Sequence, residues 1–293
     1  MKIAILADIH GNIHSLEAVL EDIERQHVEQ VVVNGDLVNR GPNSLAVLER
    51  LWGNNFIFTL GNHDDLVRMW VEHDPKIPAA WYSDPFWAGT ADLAKELAAA
   101  GWIDLLRSFN MRHEICLPGA PRVLIAHGSP RHYREGLALY TPEKILYELA
   151  TEFDADIFIG SHTHRPLDRT FRTHRFINTG AVGTPFNRNP HAQYLLMRYH
   201  KQDWHAEFRS VPYDRDAAIA AFADTGYLEK GLLSAHIFRE ELIHASPLFD
   251  PFWRWTGHNQ KPRDWASWTE FREMNQDRFA RICDRGVTVR SEM

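Results

Sequence analysis

The chain has 293 residues, 44% hydrophobic and 24% charged, with a formal net charge of −7 and no long lysine or arginine run; that balance describes a globular protein with a large core and argues against a structured nucleic-acid partner, though not against a small nucleotide. Cys116 and Cys283 lie too far apart to resemble a disulfide framework, and the first apolar run is broken by Asp8 and His10, too soon for a signal peptide. No span of ~20 apolar residues occurs, so the expectation is a soluble cytoplasmic protein with no membrane partner.

Short apolar runs with the look of buried strands follow one another from the start of the chain. Ile3 to Ala7 leads into Asp8 and His10. A helix follows, with Leu16, Val19, Leu20 and Ile23 on one face. Val31 to Val33 then leads into Asp36, and Leu45, Leu48, Leu51 and Trp52 mark a second helix. Phe56 to Leu60 leads into Gly61-Asn62-His63-Asp64. Two successive strand-helix-strand units predict parallel pairing with right-handed crossovers.

Residues 65–110 break this rhythm as a helical insertion: Leu66, Val67, Trp70 and Val71 suggest one helix, prolines interrupt it, and Ala91 to Phe109 reads as another with Gly101 inside. From His113 onward shorter strands dominate: Glu114 to Leu117, Arg122 to Ala126, Asp156 to Ile159, Arg175 to Asn178, Gln193 to Tyr199 and Trp204 to Val211. Thr141 reads as the N-cap of an intervening helix with Pro142 at its first position, and Asp214 as the cap of a helix ended by Gly226. Residues 228–293 form a helical extension, with Trp268, Phe271, Phe279 and Ile282 on one apolar face. Eight of the ten tryptophans lie in the insertion and this extension, so the two segments are expected to pack together, beside the domain spanning 1–227, and to wall its cleft.

Five strands thus deliver Asp, His or Asn at their ends, the place where open α/β sheets bind ligands. Asp8 and His10, like His162 and His164, are separated by one residue and would point the same way on an extended segment. Imidazoles and carboxylates without thiolates suit Mn, Fe, Zn, Co or Ni. Asp8, His10, Asp36, Asn62, His127, His162 and His164 exceed the needs of one ion; two divalent ions sharing a carboxylate would absorb the surplus. Taken singly, Asp8 or Asp36 reads as a helix cap and His127 as a core histidine; together they would require seven coincidences.

The ordered blocks Asp8-x-His10, Gly35-Asp36, Gly61-Asn62-His63-Asp64, His127 and Gly160-Ser161-His162-Thr163-His164 resemble the calcineurin-like metallophosphoesterase superfamily, over about residues 1–213. The resemblance implies a four-layer α/β/β/α sandwich of two mixed sheets. It places Asp8, His10 and His164 on one metal, Asn62, His127 and His162 on the other, and Asp36 between them. It makes His63 the catalytic histidine that stabilises the transferring group, with Asp64 either orienting its ring or capping the next helix. Arg40 resembles the arginine that grips phosphate in the protein-phosphatase branch, although Asn39 stands where that branch usually has aspartate. Asn178 to Gly183 looks like the glycine-rich strand end of bacterial phosphodiesterase members.

The expected function is hydrolysis of a phosphodiester or phosphoanhydride bond in a small, nucleotide-like phosphorylated substrate, with manganese favoured for activity. The competing readings are a phosphomonoesterase or Ser/Thr protein phosphatase, a dinucleoside polyphosphate hydrolase and, from another class, a metal-stabilised interaction scaffold. The sequence leaves the oligomeric state open.

Overall fold

A computed structural model of the chain describes residues 1–280; Ile282 and Cys283 lie outside them. In chain order its elements are β1 (Lys2–Leu6), α1 (Ile13–Gln26), β2 (Gln30–Asn34), α2 (Ser44–Leu51), β3 (Ile57–Thr59), α3 (Asn62–Glu72), α4 (Ala88–Ala99), α5 (Ile103–Ser108), β4 (Arg112–Ile115) and β5 (Val123–Ala126). There follow α6 (Glu143–Glu152), β6 (Ile157–Gly160), β7 (Leu167–Phe171), β8 (His174–Asn178), β9 (Ala192–His200), β10 (Asp203–Val211), α7 (Arg215–Asp224), α8 (Tyr227–His244), α9 (Phe249–His258) and α10 (Trp265–Met274).

The strands form two five-stranded mixed sheets, ordered β10-β9-β1-β2-β3 and β4-β5-β6-β8-β7. The pairs β1–β2, β2–β3, β5–β6 and β6–β8 are parallel. Side-chain alternation decides the layering. Ile3 and Ile5 pack with Val32, Ile125, Ile159 and Ile177 between the two sheets, whereas Ala4 and Leu6 face the helices, among Leu16, Val19 and Leu48. On the far side of the second sheet, Leu124, Phe158 and Phe176 pack on Leu146 and Leu149 of α6. Helix, sheet, sheet and helix are therefore the four layers.

Three local details depart from the sequence reading. The run Ala91 to Phe109 is two helices, because the chain turns at Gly101 with φ +79°. Pro142 caps α6, while the Thr141 hydroxyl instead accepts the N–H of Ala138 at 2.8 Å. Strand β7 was not anticipated: it is an edge strand carrying Asp168, Arg169 and Thr170, so it lacks the apolar run that marks a central strand.

The insertion and the extension meet in an aromatic cluster. Phe86 lies 5.2 Å from Phe249, and Trp253 packs 5.6 Å from Trp81 and 5.4 Å from Trp87 between ring centroids. Beneath it Phe252, Trp268 and Phe271 are fully buried. Helices α4 and α8 cross where Gly89 faces Gly231; a Cβ on Gly89 would come within 3.2 Å of the Gly231 Cα. Among the described residues no helix is long and apolar enough to cross a membrane.

Candidate metal centre

Strands β1, β2 and β3 of one sheet and β5 and β6 of the other end at the same edge of the sandwich, and their following turns converge. Asn34, at the end of β2, ties the two sheets together there. Its side-chain N–H groups donate to the Ala126 carbonyl at 3.0 Å and the Ser161 hydroxyl at 2.8 Å, and its side-chain oxygen accepts from Thr59 at 2.6 Å. Sequence reasoning passed over Asn34; the available signal was a polar residue closing an otherwise apolar run.

Asp8, His10, Asp36, His162 and His164 all have φ between +49° and +59°. Such left-handed conformations are costly for residues with a Cβ and persist where the surroundings enforce them. The structure therefore corrects one step of the sequence argument: Asp8 and His10 converge because the backbone coils left-handedly after β1, not because they alternate along an extended strand.

The donor atoms form overlapping groups. Asp8, His10 and His164 offer ligand atoms within 4.8 Å of one another, as do Asp36, His127 and His162, and also His10, Asp36 and His63. Asp36 Oδ2 stands 3.2 Å from His127 Nε2 and 3.7 Å from His10 Nε2, so it lies between the first two groups. The other oxygen of each carboxylate is anchored: Asp36 Oδ1 accepts the His63 N–H at 2.7 Å, and Asp8 Oδ2 the His162 N–H at 3.1 Å. Two imidazoles are held from behind. His127 Nδ1 bonds to the Asn34 carbonyl at 2.8 Å and His164 Nδ1 to the Thr184 carbonyl at 2.6 Å. Both rings therefore keep a proton on Nδ1 and turn Nε2 inward, where it offers a lone pair once it is itself unprotonated.

What these atoms lack is as informative. Asp8 Oδ1, Asn62 Oδ1 and His127 Nε2 are buried with no hydrogen-bond partner among the described residues, and His10 Nε2 faces His164 Nε2 at only 3.2 Å. Buried acceptors converging without donors are what divalent ions satisfy, so the donor set fits such ions.

Charge balance in the protein alone follows. Burial would lower His127, but Asp36 and Asp8 outweigh it and push it up to about 10. Burial raises Asp36, yet the neighbouring His127 and His63 hold it well below the usual carboxylate range. Burial, with the His127 charge, lowers His162 to about 4, and burial keeps His10 and His63 well below the ordinary imidazole value. In the protein alone, therefore, a protonated His127 stands against an ionised Asp36.

Asp64 is fully buried and both its oxygens face backbone. Oδ2 accepts from Asp36 N at 2.7 Å and Gly61 N at 3.1 Å, and Oδ1 from Leu37 N at 2.9 Å and Val38 N at 3.3 Å. It closes a capping box on α3 and pins the β2 turn to it. The orienting role toward His63 is thereby corrected: no lone pair of Asp64 is directed to that ring. Burial and the Asp36 charge raise its pKa to about 7. Gly61 permits the close approach, since a Cβ there would lie 2.1 Å from Asp36 N.

Arg40 stands beside the cluster already engaged within the protein. Its guanidinium is bound to Glu241 of α8, itself buried, and lies over the Phe238 and Phe186 rings at 5.0 and 5.5 Å. Its charge is already met within the protein. Asn178 does not reach the donor cluster but supports it, donating to Ser161 O at 2.5 Å and Thr163 Oγ1 at 3.0 Å in the loop that carries His162 and His164. His63 and His162 alone among the site histidines are partly exposed, which marks the open side of the cluster.

A family model described as calcineurin-like phosphoesterase matches residues 1–166. An uncharacterized protein of Methanocaldococcus jannaschii is 26% identical over 227 residues, 72% of this chain and 88% of that one. The symmetrical bis(5'-nucleosyl)-tetraphosphatase of Erwinia tasmaniensis is 42% identical over 67 residues, 22% of this chain and 24% of that protein. Among solved structures, a metallophosphoesterase of Sphaerobacter thermophilus superposes with TM-score 0.60 at 24% identity, over 81% of this chain and all of that one. A hypothetical protein of Pyrococcus horikoshii superposes with TM-score 0.67 at 21% identity, over 84% of this chain and 99% of that one.

Proposed function

This chain belongs to the calcineurin-like phosphoesterase family and is a hydrolase of phosphoester bonds, and from that premise we propose that it is a two-metal phosphodiesterase or phosphoanhydride hydrolase acting on a small nucleotide-like substrate. The observation that carries this reading is the set of unpartnered buried acceptors shared between two donor groups with Asp36 Oδ2 between them. In it Asp8, His10 and His164 would hold one divalent ion, Asn62, His127 and His162 would hold the other, and Asp36 would be available to both. When bound, such a pair supplies an activated water and takes up charge on the attacking and leaving oxygens.

The chain's own groups do the rest. His63, held neutral by burial, presents an N–H to the transferring group and, once it has taken up the proton released by the attacking water, passes it to the leaving oxygen. Asp64 fixes the turns that carry Asp36, Asn62 and His63, so those groups need little reorganisation during the reaction. The tetraphosphatase match supports a phosphoanhydride between nucleosides as one form of the substrate, through the 67 residues it covers.

Elemental analysis of metal-stripped and reloaded protein, together with hydrolysis of diesters, monoesters and dinucleoside polyphosphates under Mn, Fe, Zn, Co and Ni, tests the reading. Two ions per chain and manganese-dependent cleavage of diesters or polyphosphates are expected. One ion per chain, or cleavage of monoesters alone, overturns it.

A further inference from the structure

With Arg40 paired to Glu241, a side-chain cation left open beside the site comes from the loop after β5. Arg134 is exposed and makes no ion pair among the described residues; its own neighbours are the Tyr133 ring at 5.9 Å and the His132 ring nitrogen that accepts its backbone N–H. By contrast, Arg131 three residues earlier is tied to Glu135 and Glu148.

Arg134 shares a cavity of about 90 Å³ with Asn62 and His63, and Trp87, Phe238 and Phe249 form its opposite wall. The wall comes from the insertion and the C-terminal extension, the two segments outside the strand-end motifs. Trp87 also keeps its indole N–H buried with no partner among the described residues. The space is smaller than the ~150 Å³ of an engineered apolar cavity that takes up benzene, so a single flat ring enters it only in part, edge first from the mouth, and a fused pair has no room.

We propose that this cavity is the leaving-group subsite, in which Arg134 meets the non-bridging phosphoryl oxygens and the aromatic wall seats a single flat ring joined through the ester oxygen. The proposal rests on the phosphoesterase reading above and names only the leaving group, a monocyclic aromatic or heteroaromatic alcohol, the nucleotide-like part being the group that stays on phosphorus. In the reaction the water oxygen bonds to phosphorus and the bond from phosphorus to the ring-bearing oxygen breaks. His63 takes up the proton released by the attacking water and passes it to that oxygen as it leaves. Arginine's planar fork suits paired phosphoryl oxygens.

The test is equilibrium binding of phenylphosphonate and methylphosphonate to the full-length chain, with and without manganese, read by calorimetry and tryptophan fluorescence. Phenylphosphonate is expected to bind about fivefold more tightly than methylphosphonate, and Phe249→Leu to remove that preference. Arg134→Ala, at an exposed position that does not threaten folding, is expected to weaken both ligands about tenfold, with Arg134→Lys recovering part of the loss. Equal affinity of the two ligands for the wild-type chain, or unchanged binding by Arg134→Ala, overturns the proposal. If the binding pattern holds while the manganese-loaded chain hydrolyses neither phenyl nor methyl phosphodiesters, the subsite stands and the phosphodiesterase reading falls.

Discussion

Arg40 and Glu241 form a buried ion pair that joins the turn after β2 to helix α8, 201 residues away in sequence. The other oxygen of Glu241 accepts the N–H groups of Leu248 at 2.7 Å and Phe249 at 2.9 Å, the two residues that open α9. One carboxylate therefore satisfies the start of a helix and neutralises an arginine beside the metal centre. The extension is attached through charge as well as through its tryptophans.

Glu241→Ala leaves a buried guanidinium and two helix N–H groups without partners, and its expected cost is about 3–5 kcal/mol. Denaturant unfolding checks this. The double variant Arg40→Met, Glu241→Ala is expected to lose less than the sum of the single changes, because no buried charge is then left alone; additive losses would contradict the pair.

His63→Ala is expected to lower hydrolysis about 10²–10⁴-fold, the usual contribution of a positioned acid-base group. Elemental analysis should show unchanged metal content, since the donor groups around Asp8 and around Asp36, His127 and His162 remain complete without it. Loss of metal in this variant would make His63 a ligand instead.

Metal uptake is expected to strengthen with pH. The His127 proton, held up to a pKa of about 10 by Asp36 and Asp8 against the effect of burial, must leave before Nε2 can coordinate. Below that value each ion entering there competes with one proton, so apparent affinity should rise about tenfold per pH unit. Titration calorimetry in buffers of differing ionisation enthalpy counts the proton released. No release near pH 7 would show that His127 is already neutral in the metal-free protein.

Asp64→Ala removes the acceptor of four backbone N–H groups in two turns. A stability loss of about 3 kcal/mol or more, accompanied by weaker metal binding, is expected from thermal melts and metal titration. A variant that kept its stability and metal and lost only turnover would restore the orienting role toward His63.

Deletion of residues 249–293 uncovers Trp81, Phe86 and Trp87, which pack on Phe249 and Trp253. The tryptophan emission maximum of the truncated chain is expected to shift to longer wavelength as these rings meet water. An unshifted spectrum would separate the two segments.

The strand ends were readable because their signal is local. Apolar runs stop at Asp8, Asp36, Asn62, His127 and His162, and a run followed at once by a polar donor needs no knowledge of distant residues. The two sheets and the identity of the converging side chains follow from that pattern. The missed strand had no apolar signature, since β7 is a polar edge strand, while the missed break had one, the positive-φ Gly101 after α4, overlooked inside a run that otherwise reads as continuous helix.

By itself, then, the sequence determined which side chains the strands carry to one edge and the family to which that order belongs. Only the tertiary structure decided what each flanking group does there. It turned Asp64 from His63 to four backbone N–H groups, paired Arg40 with Glu241, and left Arg134 with no ion pair among the described residues, lining the same cavity as His63. The physical reason is that hydrogen bonds and ion pairs depend on distance in space: an acceptor 201 residues away competes for Arg40 as directly as a neighbour, and residue spacing carries no record of it.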